Sequence, residues 1–388
     1  MKAAFPYMGT APIALDALLR TLGAQVVMPP KPTRATVELG ARLAPEMMCV
    51  PFKMTLGNMV RCLEAGADTL IYVSGSWSCR FGYYGRLQAQ ILRDQGFEFQ
   101  MLELRHNQVP AIVNRIRTLN RGRMSSAVLN GLRALRKGWL KSTAVDEVET
   151  RFRQTIPRAV DPGACRQLLD AMLEEVRAAD DSSTIRRVGG SARKRFAALA
   201  TDGRTRALRV KLVGESYCVV EPFINFDIIA RMGEMGVFVD PFLTAHRWLG
   251  FHGFRLGKDE VRRMRALSAP YWRYCVGGED QNSVGQLLLA AEDGFDGVIH
   301  VHPFGCMPGT VVQPTMARAA RDTGIAYLPL SLDEHSSETG VVTRLEAFVS
   351  LLEKRRRDPQ TRDRTNHRGP SAAWAAVTKP NGTADERR

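Results

Sequence analysis

The chain has 388 residues, of which 45% are hydrophobic, and it carries a net charge of +14. This length and composition suffice for two or three domains with their own cores. No apolar run is long enough to span a bilayer, and the start MKAAFPYMGT is not typical of a signal peptide. We therefore expect a cytoplasmic protein without a membrane partner.

Short β-rich runs alternate with helical patterns along residues 1–105. The predicted strands and helices, in chain order, are Ala3–Pro6, Ala14–Leu22, Gln25–Met28, Lys53–Ala65, Thr69–Val73, Tyr84–Gln95 and Phe97–Leu104. Such alternation is typical of a mostly parallel sheet with helices on its faces. We predict an N-terminal α/β domain over residues 1–105.

Residues 106–206 are basic and polar. Their apolar residues recur at helical spacing, as in Ile112, Ile116 and Leu119, and no strand pattern appears in the sequence. We predict an inserted helical region over 106–206. Within it, Asp180–Arg206 is rich in Ser, Gly and Arg, which predicts a mobile loop.

The alternation of strand and helix patterns returns over residues 207–353. The predicted elements are strands Ala207–Val213, Val237–Val239, Gly297–Val301 and Ile325–Leu330, then a helix at Val342–Leu352. Residues 354–388 carry Pro, Gly, Asn and many charges without periodicity, which predicts a disordered tail. The predicted fold class is α/β, with two Rossmann-like parallel-sheet domains and an inserted helical region.

Much of the positive charge lies in the helical region and the tail. A basic surface aids solubility, or attracts anions such as nucleotides, coenzyme A phosphates or nucleic acid. No zinc-finger spacing, aromatic RNP motif or helix-turn-helix pattern accompanies the charge in the sequence. We therefore expect no sequence-specific nucleic-acid binding.

Three of the seven cysteines stand where a predicted element begins or ends. Cys49 precedes a helix with Pro51 in its first turn, whereas Cys79 and Cys306 each follow an apolar strand. The odd number of cysteines and the length of the chain argue against a disulfide framework. Thiols on such turns from two α/β domains can form one site, and thiolates bind zinc, Cu(I) or iron–sulfur clusters.

Charged residues beside these turns are candidates for the same site. Arg80 is a ready counter-charge to an anionic group, and Lys53 is a weaker candidate because it can equally face solvent. Glu215, Asp333 and Glu334 follow predicted strands. Each acid either lines the cleft or serves as a helix cap or turn residue.

The remaining candidates are interpreted as structural. His300 and His302 lie at a strand end and could be metal ligands, but we favour packing residues with one hydrogen bond. The other four cysteines lack the strand-end or helix-start setting, and we predict that they are buried or incidental: Cys62, Cys165, Cys218 and Cys275.

Several short motifs share one resemblance. They are Cys49-x-Pro51-Phe52-Lys53, Cys79-Arg80-Phe81-Gly82-Tyr83-Tyr84, Pro303-Phe304-Gly305-Cys306-Met307-Pro308 and Asp333-Glu334-His335. In their order along the chain and in their residues, these motifs resemble the 2-hydroxyacyl-CoA dehydratase superfamily. They are closest to its branch of acyl-CoA dehydratase activase-related proteins, also described as CoA-substrate-specific enzyme activase-related.

The resemblance implies a [4Fe–4S]-type cluster held by Cys49, Cys79 and Cys306, with one iron free for substrate. A double-cubane cluster across a dimer is a related arrangement, and a homo- or hetero-dimer is expected. An ATP-dependent activase would supply low-potential electrons for reduction, or for radical dehydration of an acyl-CoA or another small molecule. Arg80 and Glu215 are the candidate catalytic residues.

The chain also departs from this pattern. Gly309 follows Pro308 where the branch usually has glutamate, and neither a P-loop phosphate motif nor the ATPase module is found in the sequence. We therefore expect this chain to receive electrons rather than to deliver them. Three alternatives stay open: a non-catalytic electron-transfer or accessory subunit of a CoA-enzyme complex, a zinc–thiolate protein, and a cluster-free binding protein.

Overall fold

The computed structural model of the chain describes residues 1–75, 79–105, 124–203, 207–253 and 257–358. The helical pattern predicted around residues 112–119 and most of the predicted tail lie outside these ranges. Within them the strands are β1 Lys2–Ala4, β2 Gln25–Val26, β3 Thr69–Ser74, β4 Gln100–Arg105, β5 Leu208–Gly214, β6 Val237–Pro241, β7 Gly297–Pro303 and β8 Ala326–Leu332.

These strands form two four-stranded sheets with the orders β2-β1-β3-β4 and β6-β5-β7-β8. Every pairing in both sheets is parallel, for example Ala3 with Thr69 in the first and Gly214 with Val301 in the second. The predicted α/β fold with two parallel-sheet domains is therefore confirmed.

Helices connect and cover the strands. Those before β5 are α1 Ala11–Thr21, α2 Arg34–Leu43, α3 Val50–Glu64, α4 Tyr84–Asp94, α5 Met124–Thr155, α6 Pro162–Ala178 and α7 Ser182–Ala197. Those after it are α8 Ser216–Val220, α9 Pro222–Asn225, α10 Ile228–Glu234, α11 Ala245–Trp248, α12 Lys258–Ser268, α13 Asp280–Glu292, α14 Met307–Thr323 and α15 Glu338–Arg357. No described helix is long and apolar enough to cross a membrane.

Both sheets are covered on both faces, which is why their strands read as near-continuous apolar runs. In β3, Leu70 and Tyr72 pack with helices α3 and α4, whereas Ile71 packs with α1 on the other face. All seven residues of β7 are buried. Val50 and Met54 of α3 join the core of the second sheet, so the two sheet units share apolar contacts.

The expected mobile loop over Asp180–Arg206 is wrong for most of its length, because α7 occupies residues 182–197. The side chain of Asp181 accepts hydrogen bonds from the first amides of this helix and caps it. Its apolar residues pack with α5 and α6 in a separate helical core. Packing of this face outweighs the weak helix propensity of its Ser and Gly residues.

The predicted disordered tail begins too early. Helix α15 continues through residues 354–357, five residues beyond the predicted helix end at Leu352. Ser337 caps its first turn, and Lys354, Arg355, Arg356 and Arg357 occupy its last turn. Positive charges at a helix C-terminus are favoured by the helix dipole, which explains why the basic stretch stays helical.

Candidate functional site

A cavity of about 650 Å³ lies at the carboxyl ends of the two sheets. In each sheet the chain turns to opposite sides after two neighbouring strands, β1 and β3 or β5 and β7. Ligands of open α/β sheets bind at such points. The residues that line the cavity after these strands include Met8, Cys79, Phe81, Glu215, Ser216, Tyr217, Cys306, Pro308 and Gly309.

Each of the three predicted ligand cysteines is the capping residue at a helix start. Cys49 occupies the N-cap position of α3, Cys79 that of the short 3-10 turn Arg80–Tyr83, and Cys306 that of α14. Cys79 and Cys306 line the cavity, whereas Cys49 is 9% exposed and its Sγ lies 2.7 Å from the Tyr84 hydroxyl. Helix N-termini favour the thiolate form.

Burial opposes ionisation of all three thiols. It raises the pKa of Cys79 and of Cys306 to about 12, and it raises the pKa of Cys49 as well. The negative charge of Glu215 raises each of these pKa values further. The three thiols and this carboxylate therefore lie within electrostatic reach of one another around the cavity.

Glu215 is positioned as the cap of helix α8, directly after β5. Its two carboxylate oxygens accept hydrogen bonds from the amides of Tyr217, at 3.1 Å, and Cys218, at 2.9 Å. Burial raises the pKa of Glu215, and these two amides oppose the rise. The predicted cleft position and the alternative role of a helix cap thus both hold for this residue.

The sequence profile of the 2-hydroxyglutaryl-CoA dehydratase D-component family matches residues 154–352, about half of the chain. The chain belongs to this family. The predicted superfamily is therefore confirmed, and the match supports the role of a 2-hydroxyacyl-CoA dehydratase component. The matched residues include Glu215 and Cys306, whereas Cys49 and Cys79 precede them. No curated protein matches the chain.

The dehydratase D-component family is generally associated with iron–sulfur clusters. In the part of this chain that the structure describes, no group of three or more His, Cys, Asp or Glu side chains could hold a single metal ion. An iron–sulfur cluster is larger than a single ion, so its ligands can lie farther apart, and thiolates are its usual ligands. The buried thiol of Cys49 and the partly buried thiols of Cys79 and Cys306 fit such a group, because iron would compensate the negative charge of their thiolates.

Arg80 and Lys53 have different surroundings in this dehydratase-family chain. Arg80 is exposed, and its charge lowers the pKa values of Cys49 and Cys79 against the larger effect of burial. Lys53 instead forms an ion pair with Glu334, and both side chains are mostly buried. Lys53 therefore does not line the cleft cavity, and it does not face solvent, which was the other interpretation of its position.

Asp333 and Glu334 do not line the cleft either. They lie on a second cavity, of about 420 Å³, together with Arg34, Arg231 and Glu338. Asp333 accepts hydrogen bonds from the amide of His335 and the hydroxyl of Ser336. It is thus a turn residue, which was the other interpretation of its position.

His300 and His302 are packing residues with hydrogen bonds, which is the interpretation that we favoured from the sequence. Nδ1 of His300 lies 3.1 Å from the Tyr327 hydroxyl, and Nδ1 of His302 lies 3.1 Å from the carbonyl oxygen of Pro303. Burial lowers the pKa of His300 to about 3 and also lowers the pKa of His302. His300 is nevertheless part of the cavity wall.

Sequence reasoning missed two polar groups of the cavity. Glu279 is buried and accepts hydrogen bonds from the Ser216 hydroxyl, at 2.9 Å, and from the Asn282 amide, at 2.6 Å. Cys275 is exposed at the cavity, and its thiol donates to Asp280. The adjacent pair Gly277-Gly278 was the available signal, because paired glycines often mark backbone close to a ligand.

We expect alkylation of the metal-free protein to report the environment of these thiols. Since burial raises the pKa of Cys79 and Cys306 to about 12, their alkylation rates should rise about tenfold per pH unit without a plateau below about pH 11. Glu215→Gln removes a charge that raises both pKa values, so both rates should increase. Peptide mass spectrometry after iodoacetamide treatment measures each site. Cys275 is the internal control, and an equal increase there would contradict the prediction.

Proposed function

We propose that this chain is an iron–sulfur protein of the 2-hydroxyacyl-CoA dehydratase type, with Cys49, Cys79 and Cys306 as the ligands of one [4Fe–4S] cluster. The observation that carries the proposal is the origin of the three thiols. They come from helix starts in two separate sheet units, yet Cys79 and Cys306 line one cavity and Cys49 lies close enough to influence the pKa of both. Three protein ligands would leave one iron of a cubane without a cysteine.

Binding of a metal group would require the three thiols to lose their protons. In the metal-free protein, burial keeps them protonated at neutral pH, so binding of the group would release protons. The backbone N–H groups of Phe52, Phe81 and Gly309 lower the pKa values of the respective thiols and would also stabilise bound thiolates. When bound, the cluster supplies single electrons and an iron that acts as a Lewis acid.

Residues of this chain would provide the proton and the counter-charge. Glu215 has a raised pKa and lies on the cavity wall, so it can hold a proton and pass it to a hydroxyl or carbonyl oxygen of a ligand. Arg80 would offset the negative charge of the thiolates. Apolar groups such as Phe81 and Tyr217 would limit the access of water to the reacting atoms.

Family membership supports the proposed partners. The family generally works with an activase and an acyl-CoA substrate. We propose that an ATP-dependent activase delivers electrons to this chain for reduction or radical dehydration at the open iron. A symmetric dimer would permit a double-cubane cluster. A non-catalytic electron-transfer subunit would use the same thiols, so it is distinguished by turnover and not by cluster content.

The test is the iron and acid-labile sulfide content of the protein after anaerobic purification. We expect about four of each per chain, and a loss of most of both in Cys306→Ser. Cys275→Ser is the matched control, because it removes another thiol of the same cavity and should retain the cluster. Equal iron in both variants would reject the ligand assignment. Iron-free protein after reconstitution would reject the cluster, and bound zinc would favour the zinc–thiolate alternative.

A further inference from the structure

Helix α7 carries an exposed basic face that has no role in the proposed site. Its cations are Arg186, Arg187, Arg193 and Lys194, which are all exposed. Their spacing of one, six and one residues, with exposed Gly190 between them, places them on one side of the helix. The four side chains span about 12 Å along the helix axis.

These four cations differ from their neighbours in the same helical core. Arg195 pairs with Glu175 at 2.7 Å, Lys137 pairs with Asp180 at 3.1 Å, and Arg177 pairs with Glu174. Among the described residues, no carboxylate forms a salt bridge with the four cations of the face. The cations that pair with carboxylates thus lie on α5, on α6 and at Arg195 of α7, whereas the exposed face of α7 keeps four cations without such a pair among the described residues.

Gly190 adds an independent observation. A glycine inside a helix lowers helix stability, and it usually persists where something packs closely against it. Its neighbour Gly189 has such a reason, because an added Cβ would lie 3.0 Å from the Cβ of Ala144. At Gly190 no atom of the residues that the structure describes lies within 4 Å of the same position. The described part of the chain thus shows no packing reason for Gly190, and a close contact at this glycine would come from a partner.

We propose that this face of α7 is a docking surface for an acidic segment of another protein. The guanidinium groups would bind carboxylates, and Gly190 would let the partner backbone approach between the two pairs of cations. An anionic membrane fits less well, since no exposed large apolar side chain lies on α7. Nucleic acid fits less well too, because the face presents no aromatic side chain for stacking. The proposal does not depend on the iron–sulfur cluster.

The experiment measures fluorescence anisotropy of a labelled, helix-forming Glu/Ala peptide with the full chain. Arg187→Glu/Arg193→Glu should weaken binding about tenfold or more, and Gly190→Leu should weaken it without a change of charge. The matched control is Arg42→Glu/Arg344→Glu, which reverses two exposed cations on α2 and α15 and should change binding less than about twofold. Arg187→Gln/Arg193→Gln replaces the reversal variant if that variant fails to fold.

Two results with the charge variants and other probes, and a third with Gly190→Leu, would overturn the proposal. One is equal weakening by the face variant and the control variant, which would mean that only the net charge matters. The other is tighter binding of an oligonucleotide of the same charge, or of phosphatidylserine vesicles, through the same cations. Tighter binding of one of these two probes would mean that nucleic acid or an anionic membrane, and not an acidic protein, is the partner. Unchanged peptide binding in Gly190→Leu would also contradict the close approach on which the proposal rests.

Discussion

Gly214→Ala is expected to destabilise the protein by about 3–5 kcal/mol or to prevent folding. Gly214 has a φ of +132°, and an added Cβ would lie 1.9 Å from the carbonyl oxygen of Val301 in the neighbouring strand. That oxygen also accepts the amide hydrogen of Glu215, at 2.9 Å. The strand end therefore cannot move away without displacing Glu215, so the clash would disturb both the sheet and the cavity.

Gly305→Ala is the matched control for this effect. Gly305 lies next to Cys306 and has a φ of +72°, but no atom within the described ranges of the chain lies within 4 Å of an added Cβ. The substitution Gly305→Ala should lower the free energy of unfolding by only about 1 kcal/mol, because the left-handed backbone alone opposes it. Urea denaturation of both variants gives the two free energies of unfolding. Similar losses for Gly214→Ala and Gly305→Ala would show that contact with Val301 is not the cause.

The fold class could be predicted because parallel strands and amphipathic helices leave different periodicities. All eight predicted strands exist, although their ends differ by up to three residues. β7, for instance, extends past Val301 to Pro303, since its hydrogen bonds to β8 continue through the turn. Such ends depend on the neighbouring strand, which periodicity within one segment does not reveal.

Helix α7 shows where local patterns fail. Its sequence has few large apolar residues and contains Gly189-Gly190, which are typical of a loop. The helix is held by Ile185, Ala192 and Phe196 packing into the helical core, and by close contact of Gly189 with Ala144. A glycine that permits close helix packing has the same sequence signal as one that breaks a helix, so only the tertiary contact distinguishes them.

The site was predictable to the extent that chain topology determines it. Cys79, Glu215 and Cys306 follow strands, and carboxyl ends of parallel strands lie at one edge of a sheet. Long side chains were less predictable. Lys53 could reach several neighbours, and its ion pair with Glu334, 281 positions away, depends on how the two sheet units pack. The spacing of residues along the sequence therefore does not predict such an ion pair.

Gly309→Ala is expected to destabilise the protein by about 1–3 kcal/mol through overpacking. An added Cβ at Gly309 would lie 2.7 Å from the Cβ of His302, which is buried on β7. Since the Cβ atoms themselves collide, His302→Ala would not relieve the contact, whereas His302→Gly would. A glutamate at position 309, usual in the resembled branch, meets the same obstacle and adds the cost of a buried carboxyl.

A double-mutant cycle over Gly309→Ala and His302→Gly tests this coupling. The double variant should be more stable than the sum of the single effects predicts, because the Cβ moves from one residue to the other. Gly340→Ala, with only the Ser337 hydroxyl 3.0 Å from an added Cβ, controls for loss of glycine in a helix. Urea denaturation of all variants measures the coupling. Additive effects would mean that His302 does not exclude a side chain at position 309, and the absence of an acid there would then have another cause.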